Sequence, residues 1–244
     1  ATEFNPEDMY ADDDMVITIS HLGYIKRTPL ADFRQQGRGG VGAKASAARD
    51  EDFIEYVHQA NMHSTMMFFT EQGRLYWTKV YELPEGNRQS KGRALQNMIN
   101  IQKGDKVCAF IHVKNLNDME YVQNHYLIFA TKDGLMKKTT LESYSRPRAN
   151  GIIALGLREG DRLIRVTLTD GNSQMLVASY NGKVVRFPED TVRPMGRTAT
   201  GVRAIKLDED GQDRVVGMIC VEEGSKESVL VISEKGFGKR TDLD

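Results

Sequence analysis

Residues 127–140 read LIFATKDGLMKKTT. A run of apolar, β-prone residues meets a Lys-Asp-Gly turn, and a second run leaves it. Two such runs joined by a short turn ending in glycine predict a hairpin, with Gly134 supplying the positive φ the turn needs. The pattern recurs in MVITISHLGYIKRT (15–28), MMFFTEQGRLYWTK (66–79), MLVASYNGKVVRF (175–187) and VLVISEKGFGKRT (229–241). The turn glycines are Gly23, Gly73, Gly134, Gly182 and Gly236. Their period is roughly 50 residues, the length of one blade-sized repeat. The interval from Gly73 to Gly134 is longer, and a polar insertion around KNLNDMEYVQNH accounts for it.

Two further landmarks repeat in the same order. A second glycine follows each of the first four at near-constant spacing: Gly40, Gly92, Gly151 and Gly201. An aspartate follows each of those, again at near-constant spacing, ahead of the next apolar stretch: Asp52, Asp105, Asp161 and Asp213. Each period therefore holds a hairpin, a basic connection and two more strand-like stretches. Roughly four strands per ~50 residues is the arithmetic of a propeller blade. The expected class is all-β, a β-propeller-like pinwheel of four-stranded blades, over residues 15–244 with four full repeats and the start of a fifth. ASAARDEDFIEYV could be drawn as a helix, but its β-branched and aromatic second half fits the strand of the repeat better. Tyr76 and Trp77 read as packing residues. Residues 1–14, ATEFNPEDMYADDD, are acidic and irregular and read as a linker.

No apolar run approaches the ~20 residues of a membrane span, and the sequence shows no basic-then-apolar stretch of the signal-peptide kind. Cys108 and Cys220 lie in apolar runs and read as reduced thiols in strands, so a cytoplasmic setting is expected. The formal net charge of −1 gives no hint of a polyanionic partner. Its distribution does. The four intervals between first and second glycines each hold four cations: Lys26, Arg27, Arg34 and Arg38; Arg74, Lys79, Arg88 and Lys91; Lys137, Lys138, Arg146 and Arg148; Lys183, Arg186, Arg193 and Arg197. Together the four intervals carry +10, while the rest of the chain carries −11. Arg93 and Arg203, just past a second glycine, extend the set. Positive charge repeated at one place per blade suits a polyanion followed over distance, because phosphate contacts give sequence-independent affinity through counterion release. The intervals lack a series of aromatic stacking residues, which favours duplex over single strands.

The densest motif is QQGRGGVGAK, residues 35–44. Its literal GxGxxG at Gly37, Gly39 and Gly42 lacks the preceding buried strand and the acid ~20 residues on that a dinucleotide fingerprint requires. It is no phosphate loop either, since Ala43 follows Gly42. What remains is a glycine-rich loop offering backbone N–H groups, with Arg34, Arg38 and Lys44 as donors to phosphate.

This segment resembles the glutamine-arginine-arginine-glycine-glycine-lysine-glycine box that marks the C-terminal domains of DNA gyrase A subunits. Gln36, Arg38, Gly39, Gly40 and Gly42 match it, whereas Gly37 and Val41 stand where the family has cations. YELPEGNRQSKGRA, KKTTLESYSRPRANGIIAL and GKVVRFPEDTVRPMGRTATGVRAIKLDE carry the resemblance along the chain, at equivalent places in successive blades. It implies a six-bladed pinwheel whose hairpins reach into neighbouring blades, with duplex DNA wrapped around the basic rim and the box enabling negative supercoiling. Against that family, the sequence ends inside the fifth repeat.

The resemblance also implies the partners: the breakage-reunion domain of the same polypeptide, together with the gyrase B subunit in an A2B2 complex on the bacterial chromosome. ATP and magnesium would be used elsewhere in that enzyme, with no catalytic, metal or cofactor residue in this domain. The alternatives are the corresponding domain of topoisomerase IV, whose box is not intact, and a protein-interaction propeller, which would show an exposed apolar face rather than repeated basic connections.

Overall fold

Gly23, Gly73, Gly134 and Gly182 have φ of 87°, 83°, 95° and 91°, and each ends the turn of a hairpin in the computed structural model. The structure describes residues 4–35, 52–87, 89–222, 228–232 and 238–242. The first period gives β1 (Asp14–Ser20), β2 (Tyr24–Pro29), a short helix α1 (Leu30–Gln35) and β3 (Ile54–Asn61). The second gives β4 (Thr65–Thr70), β5 (Arg74–Lys79), β6 (Arg93–Ala94) and β7 (Val107–Val113). The polar insertion forms α2 (Met119–Asn124), followed by β8 (Tyr126–Thr131), β9 (Leu135–Thr140), β10 (Ile152–Ile153) and β11 (Leu163–Thr169). Then come β12 (Ser173–Ser179), β13 (Val184–Pro188), β14 (Val202–Arg203), β15 (Val215–Glu222) and a hairpin of β16 (Ser228–Ile232) with β17 (Gly238–Asp242). The chain is all-β in class. The ambiguous ASAARDEDFIEYV stretch enters strand β3 at Ile54, and its residues 45–51 lie outside the described ones.

Sheet order explains the second landmark. The sheets run β3-β1-β2-β6, β10-β5-β4-β7, β11-β8-β9-β14 and β13-β12-β15. In each of the first three, a two-residue strand taken from the following period completes the sheet, and a landmark glycine comes just before it. Gly92 precedes β6, Gly151 precedes β10 and Gly201 precedes β14. Gly92 and Gly201 have φ of 84° and 101°. A Cβ on Gly92 would stand 2.4 Å from the Ile25 carbonyl oxygen, and one on Gly201 2.1 Å from that of Met136. Only glycine lets the incoming strand approach so closely.

The third landmark pins the turns. Asp52, Asp105, Asp161 and Asp213 each accept, through Oδ1, the backbone N–H of the residue before the turn glycine: Leu22 at 2.9 Å, Gln72 at 3.1 Å, Asp133 at 3.0 Å and Asn181 at 3.0 Å. A hydroxyl closes the other side. Ser20, Thr70, Thr131 and Ser179 accept from the residue after the glycine. Each turn thus has two orphan amides satisfied by side chains, at about 1 kcal/mol per bond.

The chain divides into two units. The first comprises Ala1–Met67, Tyr76–Ile101 and His112–Asn115; its core includes Met15, Val16, Ile17, Ile19 and Ile25. Residues 4–14, within the segment read from the sequence as an acidic linker, make contacts with this unit. A 3-10 turn spans Pro6–Met9, Tyr10 stacks on Tyr81 at 5.1 Å, and the Met62 N–H donates to the Asp13 carbonyl at 3.0 Å. Tyr76 is buried, as its packing role requires.

The second unit comprises Phe68–Leu75, Gln102–Ile111 and Leu116–Asp244. Its core places Ile128, Ala130 and Met136 against Met175, Val177, Val215 and Met218, with Val192 and Ile205 closing it. Burying each of the valine, isoleucine and methionine side chains contributes about 1.5–3 kcal/mol. Both cysteines are free and half-buried in strands, and burial pushes the Cys108 thiol up to about 12. Among the described residues, no helix is long and apolar enough to cross a membrane.

Candidate nucleic-acid interface

The connection after a hairpin leaves β5, β9 or β13 and travels to a two-residue strand, β6, β10 or β14, in the preceding sheet. In the first unit, residues 83–87 and 89–92 make this journey along β2. Arg27 N–H donates to the Pro84 carbonyl and its own carbonyl accepts from Gly86, both at 2.9 Å. Lys26 Nζ donates to the carbonyls of Asn87 at 2.7 Å and Ser90 at 2.8 Å, and Thr28 Oγ1 donates to Gly86 at 3.0 Å. Arg27 Nε donates to the Leu83 carbonyl at 2.8 Å. Partial burial lowers the Lys26 pKa. The loop so held presents Lys91, its ammonium 4.3 Å from the Tyr24 ring centre, and Arg93; both are exposed. Arg34 is exposed on α1.

The second unit repeats the device with Lys137. Its Nζ donates to the Ala154 carbonyl at 2.6 Å, to Tyr144 Oη at 3.2 Å and to the Arg197 carbonyl. One ammonium therefore ties a 3-10 turn, the residue after β10 and the connection after β13. Burial, with Arg197 adding to it, brings the Lys137 pKa down to about 7. Lys138 lies 3.3 Å from Glu189 Oε1, and both side chains are almost wholly buried. Met195 N–H donates to the Lys138 carbonyl at 2.7 Å, and Arg197 Nη1 donates to the Ile153 carbonyl. The loops these contacts hold leave Arg146, Arg148, Arg193 and Arg203 exposed, with Lys183 and Arg186 exposed on and beside β13.

Three expected surface cations are therefore interior. Arg27 is 8%, Lys138 4% and Lys137 0% exposed. These are corrections, because β2 and β9 are central strands and the connections pack against these positions, so the cations there hold carbonyls and carboxylates, Arg27 reaching Glu85 at 3.8 Å, and present little charge to solvent. Arg74, Lys79 and Arg197 are half-buried; Arg74 Nη2 donates to the Asn150 carbonyl at 3.0 Å, and Lys79 pairs with Glu7 at 2.6 Å. Gln36, Arg38, Gly39, Gly40, Gly42, Lys44 and Arg88 lie outside the described residues. Sequence reasoning missed the partners Tyr24, Tyr144 and Glu189, although the glutamate stands at the same place in its period as Val80 and Leu141. Among the described residues, no group of three or more His, Cys, Asp or Glu could hold a metal ion.

Antiparallel sheets completed by exchanged strands, with hairpins recurring once per period, define a bladed all-β domain of the propeller class. The chain belongs to the family described as the DNA gyrase C-terminal domain, beta-propeller, whose model matches residues 14–61, 64–114, 125–170, 174–222 and 227–244. It is 44% identical over 245 residues to the DNA gyrase A subunit of Salmonella typhimurium and 42% identical over 239 residues to that of Staphylococcus epidermidis. These alignments cover 100% and 98% of this chain but 27% and 26% of the relatives, so the chain spans about a quarter of their length.

Among solved structures, the C-terminal domain of DNA topoisomerase IV superposes with a TM-score of 0.75 at 28% identity, covering 96% of this chain and 69% of the other. A DNA gyrase A C-terminal domain superposes with a TM-score of 0.67 at 23% identity, covering 95% and 72%; at that identity it speaks for the fold alone.

Proposed function

We propose that this chain binds duplex DNA through the exposed cations of its connections, as the C-terminal domain of a DNA gyrase A subunit. In this reading the whole enzyme uses the domain to wrap DNA and to introduce negative supercoils at the expense of ATP. The domain contributes no catalytic group. Chemistry, ATP and magnesium belong to the breakage-reunion domain and the gyrase B subunit of an A2B2 complex in the bacterial cytoplasm.

The observation that carries the reading is the division of labour among cations. Lys26 and Lys137 bond the connection backbones from within, while Lys91, Arg93, Arg146, Arg148, Arg193 and Arg203 stand exposed on or beside them. Surface cations on preorganised loops bind phosphate without reading sequence. The test is a titration of linear duplex binding against salt. Six or more phosphate contacts give a log–log slope of at least about −5. Affinity that stays flat with salt overturns the reading.

The topoisomerase IV reading draws on the superposition at 28% identity. Bending duplex over tens of base pairs costs several kcal/mol, recovered only if the last contact along the path is made. The glycine-rich box is the candidate for that contact in the gyrase reading. Arg38→Ala in the whole enzyme then abolishes most supercoiling while sparing relaxation and decatenation. Full supercoiling by that variant would remove the box from this role, whereas a parent enzyme that relaxes and decatenates but introduces no supercoils would favour the topoisomerase IV assignment.

A further inference from the structure

Residues 1–25 hold Glu3, Glu7, Asp8, Asp12, Asp13 and Asp14 and no Lys or Arg. Residues 4–14 are fastened to the first unit at several points. Asp12 Oδ1 accepts the His63 N–H at 3.0 Å, the His63 ring nitrogen Nε2 lies 2.7 Å from the Tyr10 carbonyl oxygen, and Tyr10 and Tyr81 stack with planes 13° apart. Glu7 Oε1 lies 2.6 Å from Lys79 Nζ. Lys79 is the last residue of β5, where the connection bearing Lys91 and Arg93 begins.

We propose that this acidic segment is a strap whose Glu7 carboxylate competes with DNA phosphate for Lys79, and so sets the affinity of the first unit for duplex. The inference rests on the DNA-binding reading above. A carboxylate oxygen and a phosphate oxygen offer an ammonium the same ligand chemistry. The two side chains of the pair are 31% and 29% exposed, so solvent reaches it and an incoming phosphate can replace Glu7. Surface pairs of this kind contribute little, which makes the exchange cheap in either direction. The Tyr10–Tyr81 stack and the Asp12 and Asp13 bonds keep the carboxylate at high local concentration, so the competition is intramolecular.

The test uses the full chain and a linear duplex. Glu7→Gln binds DNA about two- to fivefold more tightly than the parent, the range such a pair can mask. Its salt slope steepens by about 0.9, the signature of one added phosphate contact. Tyr10→Ala, which frees the strap, shifts affinity the same way. In a Lys79→Met background, Glu7→Gln has no further effect beyond the loss of one negative charge, and the slope stays at the Lys79→Met value. A Glu7→Gln protein that binds DNA with parental affinity and slope overturns the strap while leaving the DNA-binding reading standing. Weaker binding together with a lower melting temperature makes the pair purely structural and also overturns it. Absence of DNA binding by every variant overturns both.

Discussion

Lys138 Nζ and Glu189 Oε1 lie 3.3 Å apart with their side chains 5% and 0% exposed, joining a hairpin strand to the turn that follows the next hairpin. Glu189 also accepts from the Ser173 N–H at 3.0 Å and from the Thr169 hydroxyl, so its carboxylate is fully engaged. Removing one partner of a buried pair strands the other charge. Lys138→Met destabilises by about 3–5 kcal/mol, and Lys138→Met with Glu189→Leu recovers a large part of that loss. Urea midpoints of the two variants decide it; equal losses would place the energy in something other than the stranded carboxylate.

The aspartate of each period should matter through one turn amide. Asp161→Ala leaves the N–H groups of Asp133 and Arg162 without their acceptor. A cost of about 1–3 kcal/mol follows, with Asp161→Asn recovering part of it. Asp105→Ala and Asp213→Ala, in equivalent geometry, fall in the same range when unfolding is followed by fluorescence.

Two glycines with positive φ separate close approach from backbone strain. A Cβ on Gly201 meets the Met136 carbonyl oxygen at 2.1 Å, whereas one on Gly211, φ 75°, meets nothing within 4 Å. Gly211→Ala therefore costs about 1–2 kcal/mol from φ alone. Gly201→Ala costs more, because β14 must lift off β9. Equal melting temperatures for the two would refute the close-approach account.

Lys137 gives stability a pH dependence. Its pKa is about 7 when folded against 10.5 as the ordinary value, so between these the unfolded chain binds the extra proton. Stability from this group therefore rises as pH rises from about 7 and is lost as pH falls toward it. Cys108 acts oppositely above its ordinary value of 9.0, because the folded thiol keeps its proton to about 12. The window is thus pH 7 to 9. Urea midpoints should rise across it for the parent and flatten in Lys137→Met; a flat parent profile would contradict the depressed pKa.

The repeat was legible because each landmark is a local necessity. A turn that needs positive φ shows as glycine, and a turn amide that needs an acceptor shows as aspartate at a fixed distance. Strand exchange was not legible from residues alone, since the pairing of Ala94 with Tyr24 leaves no trace within either strand. In the candidate site, the loop arginines Arg146, Arg148 and Arg193 were recognisable as surface cations among polar residues. Lys137 and Lys138 misled for a physical reason. A Lys-Lys pair on a strand sends one side chain to each face, and both faces of β9 are covered. Charge counting has no means of seeing that. The buried carboxylate and carbonyls that receive them come from residues far along the chain.

The exchanged strands also set a schedule for synthesis. Ala94 meets Tyr24, Ile152 meets Leu75 and Val202 meets Met136, each pair separated by more than a full period of the chain. While a ribosome is making this chain, each of the first three sheets waits with one edge bare until most of the next period has emerged. The waiting edge is an open row of amides and carbonyls, the kind of template on which neighbouring nascent chains can pair wrongly. A stall placed just before codon 92 should thus leave the first hairpin exposed to protease and to chaperones, and a stall well past codon 113 should not.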